Sequence, residues 1–131
     1  STLEHIGFNN NIYKTLNEVK KVRKKKMIYL EVIRNLRSYL KKNGVLLITL
    51  PFGKHQKFKD LQQFDKKMIA NIVKAFKPTR LEKKFAIYRN SQWEYCEEKD
   101  CYNVKFKNKY HKITMDDAAS ARSLILMKLK K

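Results

Sequence analysis

Residues 40–53 read LKKNGVLLITLPFG, and this stretch decides the fold. Lys41 and Lys42 suit the negative end of a helix dipole, and Asn43-Gly44 supplies a left-handed turn that stops a helix. A continuous apolar run follows at residues 45–50, closed by Pro51 and Gly53. A branched run of that length between two breakers predicts a strand buried on both faces, as in a parallel sheet covered by helices. Helix, tight stop and buried strand in direct succession point to an α/β architecture.

Working outward, the residues before the stop predict a long helix over about 13–42, with a break near the Lys24-Lys25-Lys26 run. In its second half Tyr29, Val32, Ile33, Leu36, Tyr39 and Leu40 recur every three or four residues, which places them on one inward face. Arg34, Arg37, Lys41 and Lys42 then face water. Residues 1–12 carry Gly7 and an Asn9-Asn10-Asn11 run and predict a loop. Downstream, Asp65 is a helix N-cap for a segment ending at Phe76, with Met68, Ile69, Ile72, Val73 and Phe76 as its apolar stripe. Residues 84–89 predict a second strand, parallel to the first as its neighbour or near-neighbour. Strand character is expected at 102–106, a short acidic helix start at 116–119, and a last strand at 123–129 reaching the sheet edge.

The chain has 131 residues, which bounds it to one domain. With 43% hydrophobic residues it can build a packed core, and with 3 Gly and 2 Pro it has no flexible linker. No apolar run is long enough to cross a bilayer and the first residues lack a secretory pattern, so a cytoplasmic protein is expected. Cys96 and Cys101 are spaced C-x4-C with no further cysteine, and His111 is the nearest additional ligand type; two reduced thiols and no metal are expected. The formal net charge of +19 suggests a polyanion partner. Because the cations are overwhelmingly lysine and bidentate phosphate recognition favours arginine, composition bias accounts for the charge better than selected binding does.

In chain order, STLEHIG (residues 1–7), LRSYLKKNG (36–44), VLLITLPFG (45–53) and QQFDKKMIANIVKAF (62–76) resemble the C-terminal half of class I S-adenosylmethionine-dependent methyltransferases. FAIYRNSQW (85–93) resembles a sixth strand and the tryptophan after it in bacterial methyltransferase-like proteins associated with surface polysaccharides. The resemblance implies half of a Rossmann-like sheet, about three strands with two main helices, in a single partial domain over residues 1–131. It implies S-adenosylmethionine as cofactor and a small molecule or sugar as methyl acceptor. No glycine-rich G-x-G-x-G loop occurs in the chain, so the main cofactor cradle is expected to lie in an N-terminal half or partner chain, and activity of this chain alone is not expected.

The resemblance also assigns candidate residues. Glu4 and His5 match the family's "EH" positions, with His5 a possible general base on an acceptor hydroxyl. Thr2, Leu3 and His5 would stand at the edge of the cofactor pocket. Phe52, Lys54, His55 and Trp93 are candidate acceptor contacts. Beside these roles stand plainer ones: Glu4 and His5 fixing a loop, His55 solvated, Trp93 packing. Two other functions remain open: a basic module binding RNA or DNA through Lys-rich helices with Tyr and Trp stacking on bases, and a structural half-domain completed by a partner chain along an exposed strand edge.

Overall fold

The computed structural model describes residues 3–8, 27–58, 61–107 and 121–131. A 3-10 turn, Leu3–His5, precedes helix α1, Ile28–Tyr39, and strand β1, Val45–Pro51. A two-stranded ribbon follows, β2 at Gln56–Lys57 and β3 at Gln62–Gln63, then helix α2, Lys66–Phe76. Strands β4, Arg80–Arg89, and β5, Gln92–Cys96, form a hairpin; a single-turn helix α3, Glu98–Cys101, and strand β6, Ser123–Lys130, complete the order. The main sheet is ordered β1-β6-β4-β5, and every hydrogen-bonded pair in it is antiparallel.

The α/β class is therefore as expected, but the expected parallel sheet of about three strands is instead four strands with every adjacent pair antiparallel, and two placements differ as well. β6 enters between β1 and β4 and runs against both, so these two point the same way without touching. The last strand is thus interior rather than at the edge. Its Ile125, Met127 and Leu129 lie at the centre of the core, and both of its backbone edges are paired. The second difference is β1, which alternates instead of being buried on both faces. Leu46, Ile48 and Leu50 pack inward, whereas Val45 and Leu47 point outward, Leu47 with 73% of its surface exposed. The described helices pack against one face of the sheet only, so every second residue of β1 is left outside.

The core forms where Ile33 of α1 and Ile69, Ile72 and Phe76 of α2 meet Leu50, Phe85, Ile125, Met127 and Leu129 of the sheet. α2 matches its sequence signal closely: Asp65 accepts a hydrogen bond from the Met68 amide at 2.8 Å, and Lys77 closes the helix at φ 52°. In α1, Tyr29 and Ile33 are buried as expected, but Leu36 and Tyr39 are exposed, Tyr39 at 85%. On that last turn it is Arg37, expected to face water, that packs inward, its guanidinium over the Phe76 ring at 6.0 Å. Asn43, at φ 63°, makes the left-handed turn, three residues beyond the C-cap Leu40. The expected first half of the helix, residues 13–26, lies outside the described residues, as do the 116–119 segment, Thr2 and His111.

The region after β4 was the least legible. β4 starts at Arg80 rather than 84, and residues 90–91 turn it tightly into β5 with both Asn90 and Ser91 at positive φ, 49° and 62°. That is the two-residue turn that favours Asn and Gly; Asn90-Ser91 is a weak form of its signal. Residues 102–106 are not a strand. Their polar backbone groups serve loop closure instead: the Val104 carbonyl accepts from the Lys54 amide at 2.9 Å, and the Phe106 amide donates to Gln56 Oε1 at 2.6 Å.

Candidate functional site at the carboxyl end of β1

Ligands of open α/β sheets sit beyond the carboxyl ends of the strands. At that end of β1 four short segments converge. Residues 62–64 run alongside residues 51–53 on the edge of β1 away from β6: the Phe64 amide donates to the Pro51 carbonyl at 3.0 Å, and the Gly53 amide to the Phe64 carbonyl at 2.9 Å. The turn Leu3–His5 packs against both β1 and β3. Residues 101–104 close over Gly53 from the other direction, joined through Val104.

Gln63 ties these segments together. Its side chain is fully buried, and Nε2 donates to the carbonyls of Lys54 at 2.9 Å and Val104 at 2.8 Å. The Gln63 carbonyl is hydrogen-bonded to His55 Nδ1 at 3.0 Å. Its Oε1 is buried with no hydrogen-bond partner among the described residues. Gly53 is required at the centre. A Cβ there would collide with the Val104 carbonyl oxygen and stand 2.8 Å from Gln63 Nε2, with φ at 156°. Nothing in the sequence singles out Gln63, because its partners are distant in the chain.

The candidate residues distribute as follows. Leu3 belongs to the hydrophobic core, and Glu4 is buried beside it, with His5 Nε2 3.9 Å from its carboxylate. His5 is half-buried. Phe52 is a core side chain packed against the rings of Phe85 and Tyr102, so it supports the loop from beneath. Lys54 and His55 are exposed. Trp93 sits on β5, three strands from β1 and roughly 14 Å across the sheet at the usual strand spacing. It is not brought together with the others.

Beneath the cluster lies a thiol pair. Cys101 is fully buried, 3.4 Å from Cys96 Sγ, and Ser123 beside it donates its hydroxyl to the Phe52 carbonyl. Burial, reinforced by the neighbouring Cys96, pushes the Cys101 thiol up to about 12. The folded state therefore holds this proton more tightly than the unfolded chain, where the ordinary value is 9.0. Stability from this group is complete below pH 9 and is lost as pH rises toward about 12. Urea titrations of the wild type and Cys101→Val across that range should show the wild type losing stability more steeply; parallel curves would contradict this. At neutral pH, iodoacetamide should label Cys96 well before Cys101, as read by peptide mass spectrometry.

Among the described residues no group of three or more His, Cys, Asp or Glu side chains could hold a metal ion, and no helix is long and apolar enough to cross a membrane. No family model, curated protein or solved structure matches the chain.

Proposed function

We propose that the chain is the C-terminal part of a class I S-adenosylmethionine-dependent methyltransferase that acts on a small molecule or sugar. The observation that carries this reading is the convergence of residues 3–5, 53–55 and 62–64 at the carboxyl end of β1, on the edge away from β6. Along residues 45–50 the edge of β1 opposite β6 has no hydrogen-bonded strand among the described residues. Further strands bearing a glycine-rich cofactor loop would add there, which places the Glu4-His5 turn at the boundary between cofactor and acceptor. His5 then orients or deprotonates the acceptor, and Lys54 and His55 face it from the opposite loop. Methyl transfer depends above all on aligning nucleophile and sulfonium, and the Gln63 cluster supplies that rigidity. The reading carries with it a cytoplasmic location and a cofactor held mainly outside this chain.

The test is to express the reading frame as it extends upstream of Ser1 and titrate it with S-adenosylmethionine by calorimetry. Saturable micromolar binding by the extended chain, and none by residues 1–131, is the expected result. An extended chain that does not bind, or binding by residues 1–131 alone, would overturn it.

A further inference from the structure

The face of the sheet turned away from the helices has its own chemistry. Side-chain alternation puts Leu47, Glu82, Lys84, Ala86, Trp93 and Tyr95 among the residues on it. Toward the β4–β5 hairpin this face holds a groove of about 300 Å³, lined by Ala86, Trp93, Glu94, Tyr95, Leu124 and Leu126. Ala86 opposes Tyr95 across the strands, and its small side chain keeps the floor low between larger walls. Trp93 is 41% and Tyr95 73% exposed, an uncommon amount of free aromatic surface.

The rings are braced as well as exposed. Trp93 meets Tyr88 edge-on with centroids 5.4 Å apart, and the Arg122 guanidinium lies over the Tyr88 ring at 5.2 Å. Lys84 Nζ stands 5.5 Å from the Tyr95 centroid. Lys84 is the cation beside the aromatic floor; Lys128 stands two residues along β6 from Leu126 of the groove, and Arg80 and Lys130 pair with each other at the far end of the sheet. Glu82 is already engaged by Arg80 at 3.1 Å and Lys128 at 3.7 Å. Trp93 and Tyr95 are two residues apart on one strand face, about 7 Å by the strand rise.

We propose that this face binds single-stranded nucleic acid, with unstacked bases on Trp93 and Tyr95 and a phosphate on Lys84. Stacking requires a free π-face, which paired bases in a duplex do not offer, and a cation beside aromatic rings is the chemistry that tracks a single strand. A purely apolar partner would leave Lys84 without a role, and a polyanion without rings would leave the aromatics without one. The sheet face, rather than the Lys-rich helices, is thus the nucleic-acid surface. The proposal is independent of the methyl-transfer reading.

Trp93 is the single tryptophan of the chain, so intrinsic fluorescence reports the site directly. Titration with oligothymidylate and oligouridylate of about 12 nucleotides should quench Trp93, with affinity falling steeply as salt rises. Tyr95→Ala should weaken binding by about fivefold to a hundredfold, and Tyr95→Phe should restore it. Lys84→Ala should flatten the salt dependence by about 0.7 in log–log slope, one phosphate's worth. The exposure of both side chains keeps the variants folded, which circular dichroism checks. Inorganic polyphosphate should bind without sensitivity to Tyr95→Ala. The proposal is overturned if the oligonucleotides leave Trp93 unquenched, if Tyr95→Ala binds them like wild type, or if an acidic polypeptide or anionic vesicles quench Trp93 equally well.

Discussion

Phe64→Ala is expected to lower the unfolding free energy by about 4 kcal/mol, among the largest effects of any single truncation in this chain. Phe64 is fully buried, meets the Tyr29 ring edge-on at 5.3 Å and 89°, and lies at the bridge between residues 62–64 and β1. Removing the ring deletes apolar burial and leaves a cavity where α1, β1 and β3 meet, and a backbone hydrogen-bonded on both sides of that point cannot collapse to fill it. A domain of this size has a total stability of roughly 5–15 kcal/mol, so the variant should be close to its unfolding threshold. A urea midpoint that drops sharply at unchanged slope is the predicted readout. Leu47→Ala, on the open face, should by contrast change stability by less than about 0.5 kcal/mol. Comparable losses in the two variants would mean that the core has been misassigned.

Gly53→Ala should cost about 3 kcal/mol and should do so at the candidate site. The atom nearest the added methyl is a backbone carbonyl oxygen, that of Val104, which no side-chain rotation can move aside. The methyl also meets the carbonyl oxygen of Cys101 at 3.2 Å and Gln63 Nε2 at 2.8 Å. Relief requires residues 101–104 to move away from β1, which breaks the Lys54–Val104 and Gln63–Val104 hydrogen bonds together. Amide exchange at Lys54, protected in the wild type, should become fast in the variant while the amides of β6 stay slow. If Lys54 and β6 lose protection to the same extent, the loss is global and the local account fails. A stability change below about 1 kcal/mol would show that the loop accommodates a side chain.

How much of this was legible beforehand depended on how local each signal was. Asp65 and the stripe through Phe76 describe α2 correctly because a helix needs only its own residues at a fixed period. The stop after α1 is readable only roughly: the helix ends at Tyr39 with Leu40 as an extended C-cap, and the left-handed Asn43 turns the chain into β1 instead of capping the helix. β1 was readable as a strand but not in its burial, since a run of apolar residues does not say how many of its faces are covered. Tyr39 and Leu36 fit the helical period and still point to solvent. At the candidate site the 3–5 turn packs against β1 and β3, and the 53–55 loop is held to β3 through Gln63. Gln63, which joins them, has no motif, and the distance of Trp93 from β1 is not legible because sequence proximity to β4 does not give it.

By itself, then, the sequence determined the local elements: α2 with its cap, the strand at 45–50, the final strand at 123–129, and the mixed α/β class. Their causes lie within a few residues of each other in hydrophobic period, capping and breaker residues. Only the tertiary structure decided that β6 enters between β1 and β4, that residues 102–106 spend their backbone hydrogen bonds on the Gly53 loop, and that Trp93 and Tyr95 share an exposed sheet face with Lys84. Each of these is a pairing between residues far apart in the chain. A backbone group carries no label for its partner, and strand pairing is set by which arrangement buries Ile125, Met127 and Leu129 while leaving the fewest buried carbonyls and amides unpaired.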